Sequence, residues 1–84
     1  MAAIIMQAGN TVVPALLALE TLGFEVSLED GLVVVTSENG RFVAADPVAV
    51  LGLIKLVETR NWDWKASDEQ IDATLGRFGW STEL

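Results

Sequence analysis

The spacing of apolar side chains changes period along this chain, and each change marks an element. Val12, Ala15, Leu16, Leu19 and Leu22 recur on one face at 3.6-residue spacing, which predicts a helix starting near Asn10 or Thr11. Either of those two residues is placed to cap it, and Gly23 to end it, with Phe24 folding back onto the last turn. Val13 and Leu17 lie off that face and hint at a second contact. From Phe24 the period falls to two: Phe24, Val26 and Leu28 alternate with Glu25, Ser27 and Glu29, a half-buried strand. Asp30-Gly31 and Asn39-Gly40 are both two-residue hairpin signals, so a meander of strands is predicted over 24–29, 32–38 and 41–45.

Two such turns fix a register. Leu28 should face Val33, Val26 should face Val35, and Phe24 should face Ser37. Across the second turn Ala44 should face Val35 and Phe42 Ser37, with Glu38 opposite Arg41 as a charge pair. One sheet face then carries Phe24, Val26, Leu28, Val33, Val35, Phe42 and Ala44, and should pack on helices. The other should be wet. Yet Leu32, Val34 and Val43 form an apolar island on it, rimmed by Glu25, Glu29 and Glu38. Residues 1–8, the C-terminal segment, a second copy or another protein could cover that island.

Asp46-Pro47 then opens a long helix, an N-cap carboxylate followed by proline at the first helical position. Val50, Leu53, Ile54 and Val57 make its apolar stripe, and Val48, Leu51 and Leu56 widen it, so this helix should form the core. Leu51 and Leu56 should meet the first helix or the last one. Ser67 and Gln70 have capping-box spacing for that last helix, whose stripe is Ile71, Leu75 and Phe78. Gly79 and Trp80 repeat the stop seen at Gly23 and Phe24. The predicted fold is α+β in the order α-β-β-β-α-α, with the helices on one face of the sheet. It is one small domain over residues 1–84, with residues 1–9 a loose arm or an edge strand.

Charge changes this picture more than any other property. Twelve acidic residues face five basic ones, a net charge of −7, and no Lys or Arg precedes Arg41. Such a field repels phosphates, so no direct nucleic-acid binding is expected. No apolar run approaches the roughly 20 residues of a membrane span, and Met1 to Met6 lacks the basic flank of a signal peptide. A cytoplasmic, membrane-free protein is expected. Without His or Cys, ordinary zinc sites, the commonest general base and a thiol nucleophile are missing. Asp68 and Asp72 lie four apart on one helix, a spacing that complements the helix dipole better than it suits catalysis. Neither an enzyme nor a cofactor, metal or phosphate-loop protein is expected.

In size, acidity, lack of catalytic groups and helix–meander–helix order, the chain is similar to the bacterial immunity proteins and related inhibitors, though it matches no motif of theirs. That resemblance implies a protein that neutralises a toxin or enzyme with a basic surface. The candidate partner-binding residues are Glu25, Glu29, Asp30, Leu32, Val34, Glu38 and Val43, with Trp64 as an aromatic anchor. The alternative is a structural domain that forms a homodimer through the same outer sheet face.

Overall fold

The computed structural model describes residues 2–80, and its elements follow the expected order. A 3₁₀ turn at Gly9–Thr11 leads into α1 (Val12–Thr21). Strands β1 (Val26–Glu29), β2 (Leu32–Thr36) and β3 (Arg41–Ala44) form an antiparallel sheet in the order β1-β2-β3. Helices α2 (Pro47–Arg60) and α3 (Asp68–Phe78) complete an α+β fold. Among the described residues no helix is long and apolar enough to cross a membrane.

The core lies where α1 and α2 cover one face of the sheet. Leu19 from α1, Val33 and Val35 from β2, Phe42 from β3, and Val50 and Ile54 from α2 form one buried cluster. Phe24, Val26, Ala44, Leu51, Leu53 and Val57 pack around it. Helix α2 contributes most because its start is defined and its stripe is broad. The Asp46 carboxylate accepts the Ala49 N–H at 2.8 Å, Pro47 occupies the first turn, and Val50 and Ile54 point into the sheet. Leu51 reaches α1 as expected. Leu56 does not: it faces the segment carrying Trp62 and Trp64, because that segment runs back along α2.

Three expectations about α1 and the sheet change. Neither Asn10 nor Thr11 caps α1; the Thr11 hydroxyl donates instead to the Ala8 carbonyl at 2.7 Å, closing the 3₁₀ turn. The buried face of α1 is narrower than its stripe, holding Ala15 and Leu19 and leaving Val12 and Leu22 exposed. Leu28 has inner-face parity but is 76% exposed, since it lies on the edge strand away from α2, which covers β2 and β3.

The first hairpin forms as the Asp30-Gly31 turn dictates, with positive φ at both residues and Leu28 opposite Val33. The second is shifted by two. Val35 pairs with Phe42 and Val33 with Ala44, while the Ser37 N–H donates to the Gly40 carbonyl at 2.8 Å. The two-residue loop is therefore Glu38-Asn39, not Asn39-Gly40, and Arg41 faces Thr36 rather than Glu38. An even shift keeps every side chain on its expected face. Gly40 answers to a close neighbour rather than to a left-handed backbone: a Cβ there would lie 2.6 Å from the Trp62 ring.

Both helix stops and the last cap follow the sequence pattern. Phe24 N–H donates to Leu19 and Gly23 N–H to Glu20, and the pattern repeats for Trp80 to Leu75 and Gly79 to Gly76. Ser67 and Gln70 make both bonds of the capping box. Well-formed as it is, α3 packs extensively on no other element.

Candidate functional site

The register places most of the sequence-predicted site on one surface. Ser27, Val34 and Val43 lie side by side across the outer face, and Glu29 lies beside Leu32. Leu32 and Val43 are 41% and 43% exposed, but Val34 between them is only 3% exposed. Its cover is made by the sheet's own side chains. The Arg41 guanidinium donates to Glu29 Oε2 at 2.7 Å, and the Ser27 hydroxyl donates to the same oxygen at 3.3 Å. Glu29 starts level with Leu32 and Arg41 level with Thr36, so their ion pair crosses β2 at Val34.

That bridge corrects two expectations. Val34 is not part of an exposed island, because a residue on the middle strand is flanked on both sides and here also roofed. Glu29 is not a free rim acid, because Arg41, released from Glu38 by the register shift, reaches it instead. Both partners are about half exposed, which limits the pair to about 1 kcal/mol or less.

The remaining acids do not form a tight ring. Asp30 sits in the first hairpin turn and Glu38 in the second, at opposite ends of β2 and about 20–25 Å apart along the strand direction. Glu25 precedes β1 on the outer edge of the sheet. All three are exposed, and among the described residues none of them forms an ion pair. The outer face is thus acidic along its length, with two apolar patches at Leu32 and Val43.

Trp64 joins this surface from the side. The connection between α2 and α3 begins at Asn61, whose φ of 66° turns the chain sharply, and the Arg60 guanidinium fixes it by donating to the Trp64 carbonyl at 2.9 Å. Trp62 stacks on Phe42 with ring centroids 5.2 Å apart, closing the core beside Gly40. Trp62 and Trp64 border the same hollow. Together with Arg41, Val43, Leu53 and Leu56 they line a cavity of about 310 Å³ at the β3 edge. Lys65 lies 5.9 Å from the Trp64 ring centroid, an added cation–π contact. Sequence reasoning missed this cavity; its signal was Gly40, read there as a turn residue rather than as room for an indole.

The N-terminal arm is not on the outer face. Ile4, Ile5 and Met6 lie on the helix side, beside α1 and α2. Among the described residues no group of three or more Asp and Glu side chains is arranged to hold a metal ion, and Asp68 and Asp72 are exposed on α3. Comparison with protein-family models, with curated proteins and with solved structures returned no match to this chain.

Proposed function

We propose that the chain is a small protein-binding domain of inhibitor type, which neutralises a toxin or enzyme carrying a basic surface. The observation that carries this reading is the β3 side of the outer face. There Val43, Trp64 and a cavity of about 310 Å³ lie beside a sheet whose acids Glu25, Asp30 and Glu38 form no ion pair among the described residues. A partner's apolar side chain would enter the cavity, supplying the desolvated centre that interfaces concentrate their energy in. The acids spread along the rest of the face would speed encounter with a cationic surface and set its orientation rather than supply most of the affinity. Leu32 would sit at the edge of the contact. Val34 contributes from beneath, by holding the sheet under the Glu29–Arg41 bridge.

The experiment is capture from lysate of the source cell on three immobilised proteins: the parent chain, Val43→Asp, and Glu25→Gln/Glu38→Gln. A retained protein whose activity the parent chain blocks, lost on Val43→Asp, is the expected result. On the charge variant the same protein should associate more slowly, and the difference should shrink as ionic strength rises from about 0.05 to 0.5 M. A retained protein that binds Val43→Asp as well as the parent chain would overturn the assignment of this face.

A further inference from the structure

The molecule exposes more surface than a closed fold of its mass. Its accessible area is 6876 Å² for 9.0 kDa, whereas a folded monomer of that mass is expected to expose about 4,900 Å². Its radius of gyration is 15.4 Å, against about 12 Å for a packed domain of this length. Two apolar features contribute to that exposed area.

The first is α3. Ile71, Leu75 and Phe78 form an apolar stripe along eleven residues, and Phe78, 55% exposed, stacks on Trp80 at 5.1 Å. The second is a trough of about 660 Å³ between the N-terminal arm, α1 and α2. Ile4, Ile5 and Met6 line it with Pro14, Ala18 and Leu51, and among the described residues no charged side chain does. Ile5 is 89% exposed, so the arm offers an apolar wall with nothing against it. The helix is about 16 Å long and apolar on one side, and the trough lacks such a helix.

Charge identifies the occupant. Two copies of a chain of net charge −7 repel one another over most of their surfaces. Residues 2–19 carry no ionisable side chain, and the trough draws most of its lining from them. That neutral patch is where an acidic helix from another copy can approach without penalty, and where a basic partner would gain no attraction. We propose that α3 of one copy lays its Ile71–Leu75–Phe78 stripe in the arm–α1–α2 trough of a second copy, and the reverse, closing a two-fold dimer. Each copy supplies one helix and one trough, so the assembly ends at two. Covering the excess of both copies would bury at most about 4,000 Å², within the roughly 2,000–5,000 Å² range of obligate homodimers. None of the residues in this contact is among those assigned to the outer sheet face, so the dimer and the proposed inhibitor function are tested separately.

The chain has no cysteine, so introduced ones report the contact directly. Ala18→Cys in the trough and Thr74→Cys beside the α3 stripe, made as separate proteins and mixed, should form a mixed disulfide dimer on oxidation. Ile5→Asp and Phe78→Asp change exposed positions, so each should stay folded while weakening the dimer at least about tenfold by sedimentation equilibrium. An equimolar mixture of the two should recover dimer, because a mixed pair keeps one intact trough facing one intact helix. The proposal is overturned if the parent chain is monomeric at about 100 μM, a concentration that populates any dimer of micromolar affinity. It is equally overturned if an Ala18→Cys/Thr74→Cys chain closes only within single chains, or if a dimer forms that neither aspartate variant weakens.

Discussion

Helices α2 and α3 start by the same local rule, yet one is the centre of the core and the other lies outside it. Each has a side-chain N-cap, Asp46 in α2 and Ser67 in α3, and each carries an apolar stripe at helical spacing. Val50 and Ile54 of α2 are buried against β2, β3 and α1, whereas Ile71 and Phe78 of α3 remain exposed. Capping and periodicity therefore specify that a helix forms and which side is apolar. They do not specify what the apolar side meets. That depends on which surface the connecting segment lets the helix reach: α2 follows β3 directly and closes on the sheet and α1, whereas α3 packs extensively on no other element.

The sharpest way to break this comparison is to shorten matching side chains. Ile54→Ala removes buried volume from the cluster around Val35 and Val50, and should cost about 2–5 kcal/mol in urea unfolding. Ile71→Ala on α3 should leave the unfolding midpoint of the monomer within about 0.5 kcal/mol of the parent. Equal losses at the two sites would show that α3 belongs to the cooperative core.

A second test concerns the closed side alone. At Gly40 an added Cβ would lie 2.6 Å from the Trp62 ring, so Gly40→Ala must displace the indole or the hairpin. Its expected cost is about 1–3 kcal/mol, with a red shift of tryptophan fluorescence as Trp62 leaves Phe42. A Trp62→Ala background should remove most of that cost, since the clash partner is gone. If the penalty persists there, the glycine is needed for its backbone instead.

The caps make a finer comparison. Asp46→Ala removes the bond to the Ala49 N–H and should lower global stability by about 1 kcal/mol. Ser67→Ala removes an equivalent bond from α3. Its effect should appear in amide exchange of residues 68–78 at low protein concentration, with the global midpoint unchanged. In the proposed dimer, at high concentration, the same change should weaken self-association as well.

These contrasts show how much of the molecule its sequence displays. Local signals were legible: the Asp30-Gly31 turn, the Asp46-Pro47 start, the Ser67–Gln70 box and both glycine stops depend only on residues within a few positions. Strand faces were legible too, because parity survives a two-residue slip. The second register was not, since Asn39-Gly40 satisfies a turn rule while the packing of Trp62 on Gly40 is set by residues 22 positions apart. The same holds for the candidate site. Leu32, Val43 and the acids were placed on the outer face by alternation alone. The burial of Val34 and the cavity beside Trp64 depend on side chains meeting across β2 and across the α2–α3 connection.

The smallest expected effect falls on the outer face itself. Glu29→Gln keeps the shape of the side chain and removes the charge that holds Arg41 over Val34. With both partners about half exposed, stability should fall by no more than about 1 kcal/mol, and by less at high salt. The freed guanidinium adds an uncompensated positive charge beside Val43, so a cationic partner should associate more slowly. Loosening the bridge should also quicken exchange of the Val34 amide without altering that of Val50 in α2. A loss of several kcal/mol would mean that the bridge is part of the core rather than a lid over the middle strand, and would extend the closed half of the molecule to the face assigned to partner binding.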